Sequence, residues 1–469
     1  MARAAVWAAL GGLVVIVGAC SSGGSSGALD AAGIVSEQDG AIPAVDSGFD
    51  AGIPDAAEEP PDAAAPGPDA TIVQPTLQGW TFFGTGNGGP GQVFGATVDE
   101  GGNLWVAGGQ SGLFVMKSGT TRYQHFGLAE GLHPWGEPYP GSKQGPVTSY
   151  DLNVISVAGG PAGTAFVGYE GSDPPGAVGC EDNWDGPNPD PNIYKSGDAD
   201  RVSLTASGIA VSHYDISSPP DFVPAEPAGR EKLCKVYRIR YDKKTNGVWF
   251  GANHGYAWGN ATSTQVWEHA HPILNGYKYE DSTTEVALTG GYYGLTVDST
   301  GTAWIGGIHR SMSCFAGVGG LNFFDCEDQG TDKQARFSLD WWKDPLPSDS
   351  RPSQRTDDYV SGMAMGLDGS LWISSSTNGL AHRKTDGTVE FFKTPAQVSS
   401  VAVDPLDGSV WVGGRTGGLT RIQAGVFTDW SVVGLPGGEI PDIQVDRSGA
   451  QRRIVVSFKR GTVGVYDGP

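Results

Sequence analysis

The chain has 469 residues, including 73 Gly, 31 Pro and 14 Trp, and only 17% of it is charged. A net charge of −22 excludes a nucleic-acid partner, because phosphate binding needs a basic face. Turn formers abound while the helix formers Lys, Glu and Met are sparse, so the composition predicts an all-β protein.

In residues 1–20 the only charge is Arg3, and Ala4 to Val17 is an apolar run too short to cross a bilayer as a mature helix. It ends in Val17-Gly18-Ala19-Cys20, which resembles the lipobox of bacterial lipoprotein precursors. That resemblance implies a signal peptide over 1–20 and acylation (palmitate among the chains) of Cys20, the first residue of the mature protein. It also implies a lipid-anchored location, at the outer membrane, cell surface or periplasm. Small residues give a peptidase access to the backbone, and the thiol is the nucleophile that accepts lipid.

Residues 21–76 follow as an Ala/Gly/Ser/Pro/Asp-rich tether, and residues 21–75 contain no Lys or Arg. Such a segment buries too little apolar surface to offset its ordering entropy, so disorder is expected. Coil scaling gives it a reach of about 40 Å.

From residue 77 to 469 a repeat appears: a short β run, an acidic or Gly-rich turn, then a β run carrying Trp. The clearest copy runs from Val403-Asp404 through Gly408-Ser409-Val410-Trp411-Val412-Gly413-Gly414 to Gly417-Gly418-Leu419. Other copies centre on Val98-Asp99 with Trp105, Val297-Asp298 with Trp304, and Leu367-Asp368 with Trp372. Weaker ones centre on Phe166, Trp249 and Val455, which makes seven. Each is an antiparallel hairpin module that cannot cover both of its own faces, so radial stacking is the expected solution.

The pattern resembles the two-component regulator propeller repeat: Asp, turn, Gly, hydrophobic, Trp, aliphatic, Gly, then Gly-Leu. The resemblance implies a seven-bladed β-propeller of four-stranded antiparallel blades over 77–469. Propellers of that family often form the external sensor half of histidine kinases; no kinase follows Pro469, so that role is not carried over. The final repeat supplies three strands, and Trp80-Thr81-Phe82-Phe83 is expected to add the fourth, closing the ring and removing exposed edges.

Loop lengths carry the functional reading. The turns between the first and second strands of each repeat are short, as at Glu100 to Gly102 and Ser299 to Gly301. Long insertions fall between the second and third strands (Tyr169 to Arg201, Gly307 to Cys326). They also fall between repeats (Gly127 to Leu152, Ile216 to Lys235, Ala270 to Tyr293, Lys343 to Gly362). Propeller geometry puts both classes on one face, and binding loops concentrate on rigid scaffolds in this way. Near the pore that face is expected to present His254, His309, Arg310, Arg415, Lys459 and Arg460, a set suited to an anionic or polar ligand. Its longer loops add His133, Trp135, Tyr139, Trp184, Tyr256 and Trp258, whose aromatic faces suit sugar rings. A protein or a glycan is the expected ligand, and the chain is expected to be a monomer.

Asp182 to Asp200 is rich in hard oxygen donors of the kind calcium takes, although its spacing is not that of an EF-hand. The four cysteines after Cys20 suit an oxidising compartment and permit three disulfide pairings. Cys180 with Cys234 and Cys314 with Cys326 is preferred, since each pair closes a local excursion. Catalytic signatures are absent: there is no His-Glu-x-x-His run, nucleophile elbow or phosphate-cradling Gly loop. Binding is therefore favoured over catalysis. The alternative, a lyase- or hydrolase-type enzyme, rests on a distant likeness to streptogramin lyases, which implies a His and a metal on the loop face, with His254 or His309 as the histidine.

Overall fold

The computed structural model describes residues 72–73, 76–134, 152–171, 197–214, 233, 235–252, 255–263, 266–270, 273–278, 285–287, 291–307, 311–316, 324–325, 335–338, 360–376, 379–392, 397–431, 433–446 and 453–468. The chain divides into two units, Met1–Pro61 and Asp62–Pro469. All described residues fall in the second. Cys20, Cys180, Cys234 and Cys326 lie outside them, as does most of the tether.

In two of the repeats a single carboxylate explains the pattern. Asp99 accepts hydrogen bonds from the backbone N–H of Gly101 (2.7 Å) and Asn103 (3.1 Å), and from the Trp105 indole (2.8 Å). Asp298 does the same with Thr300, Thr302 and, at 3.1 Å, the Trp304 indole. The six-residue spacing of Asp and Trp thus lets one side chain close the turn and fix the aromatic of the next strand. Gly102 and Gly301 sit at φ of 80° and 95° in these turns, a region a β-carbon disfavours.

Among the described residues, five sheets are four-stranded and antiparallel, and the one over 398–429 is the same meander with a parallel strand added at its edge. One pairs Gly95–Val98, Leu104–Ala107, Leu113–Met116 and Tyr123–Phe126 in that order; the next pairs Val154–Gly159, Thr164–Tyr169, Ala199–Leu204 and Ile209–Tyr214. The same meander recurs over 236–270, 360–392 and 398–429. In the sixth sheet, Ile443–Asp446, Arg453–Phe458 and Thr462–Tyr466 are joined by Trp80–Phe83, with Trp80 opposite Tyr466 and Phe83 opposite Val463.

The expectation of seven four-stranded blades is corrected to six, because the sheet at 294–338 does not complete the meander. There the edge of Ser311–Ala316 is shared by two strands, Phe324–Asp325 and Ala335–Ser338. The intervening sequence is Gly- and Asp-rich and holds no strand-length apolar run. Two further additions were not expected. A hairpin of Ile273–Lys278 and Glu285–Ala287 stands between sheets, and Ile72–Val73, within the stretch assigned to the tether, pairs in parallel with Phe427 and Thr428.

Apolar seams join consecutive sheets and make this a β-propeller. Trp105 is buried among Val154, Val157 and Val167 of the following sheet, and Phe166 packs with Val236, Val248 and Phe250. Trp249 meets Tyr292, Leu295 and Ile305, and Trp304 packs against Val360, Met363 and Ile373. Val401 and Val412 meet Ala364 and Leu380, and Trp411 meets Ile443, Ile454 and Val456. Val455, Val463 and Val465 then return to Ala96, Leu104 and Val106 of the first sheet.

The innermost strands are stitched by polar side chains. Ser156, Ser361 and Ser400 donate their hydroxyls to Val236 O, Val398 O and Ile440 O of the next sheet. At the centre, Arg238 donates Nε to Tyr293 O (3.0 Å), Nη1 to Pro441 O (3.2 Å) and Nη2 to Ser361 O (3.2 Å). It also pairs with Asp442 at 2.5 Å. One guanidinium thereby ties four sheets across the axis. Burial pulls its pKa below the ordinary arginine value, and the Asp442 carboxylate opposes that shift.

Candidate functional site

Strand order decides which chain ends meet. In the 154–214 sheet Val154 lies opposite Tyr169, and Ala199 lies opposite both Gly168 and Tyr214. Starts of first and third strands therefore share an edge with ends of second and fourth strands. That edge is the loop face. The opposite edge carries the tight Asp-closed turns, where Glu100 makes an exposed ion pair with Lys243 at 3.0 Å.

The expected pore-side cations behave differently from one another. Lys459 is half-buried, with its Nζ 3.1 Å from Glu439 Oε2 and 5.4 Å over the Phe94 ring, so its charge is largely answered within the protein. Arg415 is half-buried and its backbone N–H donates to Gln397 O at 2.8 Å. Arg460 is exposed and lies alongside Gly438. His254, His309, Arg310, Trp135, Trp184 and Tyr139 lie outside the described residues, as does the 182–196 part of the oxygen-rich stretch.

Two placements are corrected. Trp258 and Tyr256 are not loop aromatics: only two residues separate Gly247–Ala252 from Gly255–Asn260, so both belong to a strand. Trp258 lies opposite Trp249, their rings stacked at 5.5 Å, and both are fully buried in a seam. Cys314 likewise belongs to the strand Ser311–Ala316, opposite Trp304, and not to an excursion between second and third strands.

Among the described residues, a polar cluster on the loop face stands at the seam between the 95–126 and 154–214 sheets. It gathers His133, Tyr169, Asp198, Asp200 and His213. A short 3-10 turn, Leu128–Glu130, leads the chain from the first of these sheets to His133. Gly197 N–H donates to Pro134 O at 3.0 Å, and His133 N–H donates to Asp200 Oδ2 at 2.7 Å, so two loops are zipped together there. The Tyr169 hydroxyl donates to the same Oδ2, and His213 Nδ1 lies 2.8 Å from Asp200 Oδ1. His213 Nε2 faces Asp198 Oδ2 at 3.9 Å. The His133 and His213 rings meet edge to face, 4.7 Å apart. Asp200 is wholly buried and Asp198 is 1% exposed. Burial, and after it the Asp200 charge, hold the Tyr169 hydroxyl well above its ordinary pKa, which keeps it a donor. One ligand atom each from His133, Asp200 and His213 lies within 4.8 Å of the others.

Sequence reasoning noted His133 as a loop aromatic and Asp198 and Asp200 as oxygen donors, but missed His213 and Tyr169. The signal for His213 was the hairpin turn at Thr205 to Gly208. Counting back from Leu204 opposite Ile209 sets Asp200 against His213. Arg238 was missed as well, although Arg238 and Arg240 alternate on an innermost strand, where one side must face the axis.

No family model and no curated protein matches the chain. Among solved structures it is similar to the extracellular domain of BT4673 from B. thetaiotaomicron, with 12% identity and a TM-score of 0.47. That match covers 83% of this chain and 40% of the other, so this chain spans well under two thirds of it. It is also similar to YCF48 bound to D1 peptide, with 12% identity and a TM-score of 0.48, over 85% of this chain and 100% of that one. No helix among the described residues is long and apolar enough to cross a membrane.

Proposed function

We propose that the chain is an extracytoplasmic binding propeller, anchored through Cys20, that presents its loop face to a protein or glycan ligand. The observation that carries this reading is the difference between the faces. By the observed strand order, the long insertions at 127–152, 170–198 and 215–235 all leave from one edge, whereas the opposite edge holds turns closed by their own Asp side chains. The pairing of Trp80–Phe83 with Thr462–Tyr466 supports a ring closed by the N-terminal segment, a rigid base for such loops. Arg460, exposed beside the glycines of 437–438, is the side chain best placed to meet a polar or anionic group.

A glycan array and a pull-down with the full chain identify the ligand class, and calorimetry on variants then tests the face. Arg415→Ala or Arg460→Ala should weaken binding by about 1–3 kcal/mol each, as for a hydrogen bond to a charged group. Glu100→Ala and Ser299→Ala, on the other face, should leave it unchanged. An affinity that ignores the first pair and falls with the second means that the wrong face has been chosen.

Anchoring is tested separately by Triton phase separation. Wild type should enter the detergent phase and Cys20→Ser should not, because the thiol is the acceptor of the lipid. Equal partition of the two rejects Cys20 as the lipid site.

A further inference from the structure

The geometry points to a divalent transition-metal site, for which zinc is the best-fitting ion, formed by His133, Asp200 and His213. Two imidazoles and one carboxylate are a borderline, nitrogen-rich donor set that suits zinc, whereas calcium takes oxygen ligands. The three ligand atoms already lie within 4.8 Å of one another. Ligands on one zinc at bonds of about 2.0–2.1 Å stand roughly 3.3 Å apart, so rotations of the two half-buried rings are enough to close the set.

The surroundings are built for ligation as well. Asp200 Oδ2 is held by the Tyr169 hydroxyl and by the His133 backbone N–H, which leaves Oδ1 to face His213. That Oδ1 shares a hydrogen bond with His213 Nδ1 at 2.8 Å, where a metal ion would replace the proton. His213 Nε2 is buried without a hydrogen bond, and Asp198 Oδ2 stands 3.9 Å from it. With metal on Nδ1, the Nε2–H faces that carboxylate, the outer-shell partner that metal-bound histidines commonly have. Three protein ligands leave one coordination position for water or for an oxygen of a bound molecule.

The site also has a mechanical consequence. His133 comes from the loop between two sheets, Asp200 from the start of a third strand, and His213 from the end of a fourth. Metal binding would therefore clamp the two large loops that begin the decorated face. This site is independent of which ligand the face takes, since the metal alone is the probe.

The test uses the full chain, stripped with chelator and titrated with zinc chloride by calorimetry, with cobalt(II) as a spectroscopic stand-in. The expected result is one equivalent bound, cobalt bands of a tetrahedral nitrogen/oxygen type, and no displacement by calcium. His133→Gln and His213→Gln should each abolish that equivalent. Tyr169→Phe, which only loosens the carboxylate, should weaken zinc by about 10–100-fold, the usual effect of an outer-shell partner. Circular dichroism of each metal-free variant separates loss of ligand from loss of fold. The site is overturned if the folded wild type gives no tetrahedral cobalt spectrum. It is overturned equally if calcium displaces zinc, or if folded His133→Gln and His213→Gln retain the same equivalent.

Discussion

Arg238→Met should lower the unfolding free energy by about 3–5 kcal/mol, the cost of removing one partner from a buried ion pair. Methionine nearly matches the volume of the aliphatic stem, so the loss is electrostatic rather than a cavity. Asp442 would remain almost wholly buried, with Arg240 at 3.3 Å and Gln444 at 2.7 Å as its remaining partners. Those partners place the expected value towards the lower end. Three backbone carbonyls, from Tyr293, Ser361 and Pro441, would also lose their donor. Because they lie in or just before the innermost strands of three other sheets, the transition should lose cooperativity as well as midpoint in a urea titration. Arg238→Met combined with Asp442→Leu should recover much of the loss, since an apolar pair removes the stranded charge. A single variant that costs under about 1 kcal/mol would mean that the guanidinium is not the tie across the axis.

What was legible in the sequence was local. The spacing of Asp99 to Trp105 and of Asp298 to Trp304 could be read because one hydrogen bond within a single hairpin enforces it. The outer strand Trp80–Phe83 could be read because it shares the aromatic texture of the other outer strands. Trp258 could not be placed, because the connection before it is two residues long and a Gly-rich stretch looks the same whether it is loop or strand. The sheet at 294–338 was misjudged because its strong Gly-x-x-Trp core hides an edge divided between two short strands. The cluster at His133, Asp200 and His213 draws on residues 67 positions apart. Asp200 and His213 face each other across one hairpin, but only the packing of two neighbouring sheets brings His133 to them, and no spacing rule within one repeat reports on that.

The N-terminal strand offers the second large effect, and it can be measured through tryptophan. Trp411 is fully buried; its ring stacks on Trp430 at 5.0 Å and meets Tyr466 at 5.1 Å and Trp80 at 6.2 Å. Trp411→Ala should cost about 3–5 kcal/mol, the range for emptying a large aromatic from a core. Trp80 is half-buried, so Trp80→Ala should cost less, about 2 kcal/mol, by the area it covers. The informative quantity is their coupling. Trp80 stands more than three hundred residues before Trp411 and reaches it only if Trp80–Phe83 lies beside Thr462–Tyr466. It then also contacts Trp430 at 6.0 Å and Tyr466 at 5.2 Å. Aromatic pairs of this geometry contribute about 0.5–1.5 kcal/mol beyond their buried area. The double variant should accordingly be less destabilised than the sum of the singles by that amount, because the second deletion removes a contact the first has already broken. Additivity within about 0.3–0.5 kcal/mol, the behaviour of distant sites, would place the N-terminal strand elsewhere and leave the edge at Thr462–Tyr466 open.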